Sequence, residues 1–216
     1  GMIRAQSGQY GAALELVGAA VQSNPKSARA HLGLGNVSAA AGKLDQALES
    51  FDQVLALEKQ FPEAWYSRGN ALQALKRNLE AVTCYEQALS MVPDWPEALT
   101  NFGNALHDLK RHADALKCYD KAIALMPGVA MIHNNRGNLL RDMRRLNEAL
   151  ASLGAALKLD PGYVDAVINR GNVLQDLERF EDALAAFDFA LTLAPDHIAA
   201  LNNRANVLRD LRRHED

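Results

Sequence analysis

An all-α solenoid of stacked antiparallel helix hairpins is the fold this sequence predicts, and three observations predict it. Written in rows of 34, the 216 residues align with themselves without gaps. All seven prolines fall at one junction of that register: Pro25, Pro93, Pro127, Pro161 and Pro195 at position 32, Pro62 and Pro96 at position 1. Gly35, Gly69, Gly103, Gly137 and Gly171 share position 8, with Ala205 in the last row, while Ala13, Ala47, Ala81, Ala115, Ala149 and Ala183 share position 20. Proline removes a helix hydrogen bond and clashes with the preceding turn, so a chain that confines its prolines to one junction has uninterrupted helices between junctions.

The register makes residues 1–216 a single array. It contains a partial repeat 1–27, full repeats 28–61, 62–95, 96–129, 130–163 and 164–197, and a partial repeat 198–216. In each repeat the first helix has its apolar side at positions 4, 7, 11 and 14, which cluster at about 100° per residue. The position 8 glycine costs that helix about 1 kcal/mol of propensity, tolerable if the missing side chain lets a neighbouring helix approach closely. The second helix takes positions 17, 20, 21, 24, 27 and 28, as Leu146, Ala149, Leu150, Leu153, Ala156 and Leu157 illustrate. Position 24 is large (Val17, Phe51, Tyr85, Tyr119, Leu153, Phe187) and position 27 small. One hairpin cannot bury both faces, so hairpins stack on their neighbours. Two irregularities stand out. Repeat 28–61 has Lys59 in place of the position 32 proline, which predicts a differently bent junction. Position 7 carries Arg68, Arg136, Arg170 and Arg204, whose heads need a carboxylate or carbonyl unless the first helix is slightly rotated. Gly1 enters the register at position 8 and Asp216 leaves it at position 19, so a longer array is expected, with the face of Leu201, Leu208 and Leu211 covered by another chain or residues 198–216 frayed.

Composition narrows the function classes. The chain is 49% apolar and 23% charged with a net charge of -3, as in ordinary folded proteins. Two cysteines cannot make a disulfide framework, which predicts a reducing, cytoplasmic setting. The longest nearly uncharged apolar stretch, 122–132, is broken by Pro127 and Gly128 and is shorter than the roughly 18 residues of a membrane span.

The pattern resembles the tetratricopeptide repeat family: Trp65, Gly69, Leu72, Ala81, Tyr85 and Pro93 match its signature in one row, and the register carries the likeness along the whole chain. The resemblance implies a right-handed superhelix with the first helices lining its concave side. Position 7 departs from it, since the family usually has leucine there.

On the first helix, positions 2, 6, 9 and 13 project within about 60° of one another, opposite the apolar side. Position 9 is asparagine throughout: Asn36, Asn70, Asn104, Asn138, Asn172 and Asn206. Position 6 holds Asn101, Asn135, Asn169 and Asn203, and position 13 holds Asp108, Asp142, Asp176 and Asp210. Asparagine is a poor helix-interior residue. A ladder of amides, each a donor and an acceptor, suits the backbone of an extended peptide, with the acids favouring basic or polar segments. The alternative is that position 9 bonds the neighbouring repeat and fixes the stacking angle. Family members that clamp acidic chaperone tails use Lys or Arg at position 5, where this chain has Leu32, Tyr66, Thr100, Asn134, Ile168 and Asn202, so that mode is not expected. The asparagine column instead looks like that of O-GlcNAc transferases and SPINDLY-like proteins. The phrase Asn169-Arg170-Gly171-Asn172 with Leu174 and Asp176 resembles bacterial members in which repeats precede a glycosyltransferase domain.

Positions 15 and 16 form a basic row: Lys43, Lys76, Arg77, Lys110, Arg111, Arg144, Arg145, Arg179, Arg212 and Arg213. These cations end first helices, and acids such as Glu80, Asp114 and Glu148 open the second ones, as the helix dipoles favour. Without interleaved aromatics the row does not predict nucleic-acid binding. The sequence carries no catalytic, cofactor-binding or metal-binding pattern. Gly33-Leu34-Gly35 lacks the third glycine of a dinucleotide loop, and His107, His112 and His133 lack ligand spacing. Cys84 and Cys118 at position 23 read as small packing residues. The sequence thus predicts a non-enzymatic module that binds extended polypeptide, with no membrane or nucleic-acid partner. The substrate arm of a protein O-glycosyltransferase, and a structural spacer self-associating through its terminal half-repeats, are the alternatives.

Overall fold

The computed structural model describes the backbone of residues 2–215 and the side chains of residues 10–211, so Arg212 and Arg213 of the basic row lie outside the described side chains. Among the described residues there are twelve helices and no strand: α1 (Met2–Ser23), α2 (Ala28–Ala40), α3 (Leu44–Leu57), α4 (Pro62–Ala74), α5 (Asn78–Met91), α6 (Pro96–Asp108), α7 (His112–Leu125), α8 (Ala130–Asp142), α9 (Leu146–Leu159), α10 (Val164–Asp176), α11 (Phe180–Leu193) and α12 (Ile198–Glu215). The fold is an all-α solenoid of antiparallel hairpins. It divides into two compact units, residues 1–110 with α1 to α6 and residues 111–216 with α7 to α12. Within each unit every helix packs on its neighbours in sequence, and successive first helices also touch.

The junction chemistry sets the helix ends. Pro62 and Pro96 stand in the first turns of α4 and α6, where the missing N–H costs nothing. The first helices close with Schellman motifs, for example Arg77 N–H to Leu72 O and Lys76 N–H to Gln73 O, both 2.9 Å. Each motif needs a left-handed residue at position 15. Gly42 meets that need with φ 76°, whereas Lys76, Lys110, Arg144 and Glu178 adopt φ of 59–61° without being glycine. The junction lacking its proline is indeed different: a bend at Lys59 stands in place of the two-residue turn seen at the other junctions. There the Trp65 indole donates to the Lys59 carbonyl at 3.0 Å, as His31 and His133 donate to Pro25 and Pro127.

The core is built from the columns of the register. Position 24 is wholly buried from Phe51 to Phe187, and the alanines of position 20 from Ala47 to Ala183 are buried with it. Each large side chain of that column is worth about 2–3 kcal/mol relative to exposure. It lies against the position 8 glycine of its own hairpin. A Cβ on Gly69 would stand 2.7 Å from the Tyr85 ring, one on Gly137 2.6 Å from Leu153 and one on Gly171 2.6 Å from Phe187. The glycine therefore sets the interhelical distance. The first-helix core face is broader than the sequence suggested. Positions 3 and 10, represented by Ala64, Ala71, Ile132, Leu139, Ala166 and Val173, are buried, while the arginines of position 7 sit at its edge. Within their units α4 and α10 each pack against four neighbouring helices and α8 against three, which widens the apolar arc. At the last helix, Val207 is buried and Leu211 packs on the cluster around Phe187, but Leu201 is 46% exposed, so it is not part of the core face.

Candidate peptide-binding face

The asparagine columns lie on the first helices, and from Asn70 to Asn203 they are half-buried rather than fully solvated, because successive first helices come close to one another. In the first unit, the Asn101 amide donates to Asn70 Oδ1 at 2.9 Å and to the Tyr66 hydroxyl at 3.1 Å. The buried Tyr85 hydroxyl shares its proton between Asn70 Oδ1 (2.8 Å) and Gln73 Oε1 (2.9 Å), and burial pushes its pKa above the usual phenol value. Tyr66 in turn packs at a tilt of 39° against Trp95, centroids 4.6 Å apart. In the second unit, Asn203 donates to Asn172 Oδ1 at 2.7 Å and Asn169 to Asn134 Oδ1 at 2.9 Å. Position 6 of one hairpin thus reaches position 9 or 5 of the one before. Asn104, Asn135 and Asn138 are half-buried on the same face, and Asn206, exposed, accepts from Arg209 at 3.1 Å. An amide has two N–H groups and two lone pairs, so the bonds made by Asn169 and Asn203 spend one of the two N–H groups of each.

The position 13 acids are not the free anionic stripe that the sequence suggested. Asp176 accepts from Arg141 at 2.6 Å with Arg144 at 3.7 Å, Asp108 accepts from Asn78 at 3.0 Å, and Asp210 accepts from Gln175 at 2.9 Å. Asp142 is exposed. A residue at position 12 of the preceding hairpin supplies the partner in two of these cases, a pairing invisible until the hairpins stack. Arg77, Arg111, Arg145 and Arg179 of the basic row are likewise locally paired. Arg77 with Glu80 and Arg145 with Glu148 form fork contacts at 2.7 Å, and Arg111 meets Asp114 at 3.0 Å. Hydrogen bonds from these arginines hold the carboxyls of Glu80, Asp114 and Glu148 below the usual range.

Sequence profiles of the tetratricopeptide repeat match residues 4–75, 60–128, 130–163 and 168–216. The chain belongs to the tetratricopeptide repeat family. It is accordingly an interaction scaffold of the kind that binds peptide or protein partners. No curated protein sequence matches it. Among solved structures it is similar to YrrB, described as a tetratricopeptide protein with an unusual peptide-binding site, at 27% identity and a TM-score of 0.73, covering 89% of this chain and all of that one. It shares its fold with PilF of Pseudomonas aeruginosa (19% identity, TM-score 0.78, covering 95% of this chain and 93% of that one). It also shares it with MamA of Desulfovibrio magneticus RS-1 (22%, 0.74, 79% and 97%).

The departure from the tetratricopeptide pattern at position 7 has a structural answer. Arg68 donates to Asp52 at 2.8 Å and Arg136 to Asp120 at 2.6 Å, and Arg204 pairs with Asp188. In each case the acid stands at position 25 of the preceding second helix, sixteen residues earlier. A second contact runs to position 23 of the arginine's own hairpin: Arg68 to Cys84 Sγ at 3.1 Å and Arg136 to Ser152 Oγ at 2.6 Å. The repeated spacing of Arg and Asp was the available signal for this clamp. Both cysteines are free and buried, and burial pushes the Cys118 thiol up to about 11, far from a nucleophile's range. Among the described residues no helix is long and apolar enough to cross a membrane.

Proposed function

We propose that the chain binds extended partner polypeptide on the first-helix face of each unit. Asn101 and Asn104 serve in the first unit, and Asn135, Asn138, Asn169, Asn172, Asn203 and Asn206 in the second, with Asp108, Asp142 and Asp176 flanking them. The observation that carries this reading is the amide-to-amide bonding between successive first helices. It fixes side chains that would otherwise lose rotamer freedom on binding, which lowers the entropic cost of capturing a peptide backbone. Similarity to YrrB supports a peptide ligand. A finer version makes the face the substrate arm of a protein O-glycosyltransferase, supported by the resemblance of the column Asn101, Asn135, Asn169 and Asn203. The free, buried cysteines suit a reducing compartment such as the cytoplasm.

The same bonds also favour a second reading, a spacer whose ladder bonds only itself and which self-associates through its terminal half-repeats, where Ile198 is 74% exposed. Selection from a random dodecapeptide library on the wild-type chain and on Asn135→Ala/Asn169→Ala separates the two. The proposal expects peptides that bind the wild type and lose about tenfold or more in affinity on the variant. A wild type that selects no peptide, or a variant that binds equally well, contradicts it.

A further inference from the structure

The clamp on the position 7 arginines is dismantled at one place, and a cavity opens there. For Arg170 the position 25 residue of the preceding second helix is Gly154 rather than aspartate, and the position 23 residue of its own hairpin is Ala186 rather than cysteine or serine. Both groups that hold Arg68 and Arg136 are therefore missing at once. Beside Arg170 lies a cavity of about 360 Å³ lined by Leu157, Pro161, Val167, Ala186 and Phe189. Phe189 is 46% exposed, a large apolar surface for a folded chain to leave in water. The one carboxylate at the rim, Asp182, is already engaged by Arg179. The site thus presents a cation without its carboxylate next to an apolar recess, all within the second unit.

We propose that this recess docks a segment of a partner protein in which an acidic side chain sits next to a large apolar one. The partner's carboxylate takes the place that Asp52 and Asp120 occupy at the other arginines, and its apolar neighbour covers Phe189. Charge complementarity selects the occupant: a guanidinium offers a two-pronged donor that matches a carboxylate, and an apolar wall excludes competing water. The site uses none of the asparagine ladder, so it stands or falls independently of the peptide-binding face proposed above.

The internal control is Gly154→Asp, which restores the carboxylate from within the chain. A Cβ at Gly154 meets nothing within 4 Å, so the substitution has room. The probe is an array of terminally blocked hexapeptides placing Glu or Asp beside Leu, Ile, Met or Phe in every adjacent order, with the Gln and Asn counterparts alongside. The wild type is expected to bind acidic members about tenfold tighter than their amide counterparts. That preference should vanish in Gly154→Asp and in Arg170→Gln, with the thermal midpoint of Gly154→Asp unchanged or raised. An array without acidic preference, or a preference that survives Gly154→Asp or Arg170→Gln, overturns the proposal.

Discussion

The hairpins α4–α5 and α10–α11 occupy the same register and differ where it matters least to the core and most to the surface. Both place a glycine against a buried ring, Gly69 on Tyr85 and Gly171 on Phe187, with Ala81 and Ala183 buried behind. In α4–α5 the ring carries a hydroxyl that ties Asn70 and Gln73 together, and Arg68 is held by Asp52 and Cys84. In α10–α11 the ring is a phenylalanine and Arg170 has neither clamp. Stacking is therefore carried by the apolar columns and the glycine contact, while the polar columns vary without changing the fold. That latitude is what allows one hairpin to be braced and another to carry a docking site.

The largest effect should come from the feature the two hairpins share. Gly69→Ala and Gly171→Ala each force a fully buried ring to move, and each is expected to cost about 1–3 kcal/mol in urea unfolding despite alanine's better helix propensity. Unequal costs would mean that the hydroxyl network, not the glycine contact, sets the spacing. Next comes the hydroxyl itself. Tyr85→Phe should cost about 1–2 kcal/mol by removing the donor that Gln73 and Asn70 share, Asn70 keeping only the Asn101 amide, whereas Phe187→Tyr should be neutral or stabilise by up to ~1 kcal/mol, since Asn172 and Gln175 stand at the matching positions. Calorimetric midpoints of the two variants check the pair.

Smaller still is the clamp. Arg136→Gln should lose about 0.5–1 kcal/mol, because the Arg136 side chain is only 23% exposed and well oriented, while Arg170→Gln should leave stability unchanged. Equal losses would place a hidden partner on Arg170. The smallest change is a gain: Lys76→Gly and Glu178→Gly should each stabilise by about 0.5 kcal/mol by relieving the left-handed position, the helix ends otherwise being alike. A loss at either would mean that the side chain holds the turn.

Most of the fold was legible because proline, glycine and alanine are punctuation with one physical meaning each, repeated at one spacing. The hairpins, the close helix approach at the position 8 glycine and the altered junction at Lys59 followed from that, whereas the position 24 side chain as the group filling the gap did not. The buried alanines of positions 3 and 10 were not, since alanine is too weakly apolar to declare a face by itself. The candidate face was half legible. The asparagine columns stood out, but their mutual bonds and the pairing of Asp176 with Arg141 depend on how one hairpin stacks on the next, which no single-helix projection contains. The left-handed Lys76, Lys110, Arg144 and Glu178 were signalled only by Gly42.

The central claim is that the amides bound to each other between hairpins are also the groups that meet a ligand. Side-chain amide NMR spectra of the selectively asparagine-labelled chain, titrated with the tightest dodecapeptide recovered from the random library, test it directly. The account predicts saturable shifts in the signals of Asn169, Asn172 and Asn203. Signals that stay in place while the peptide binds would contradict it.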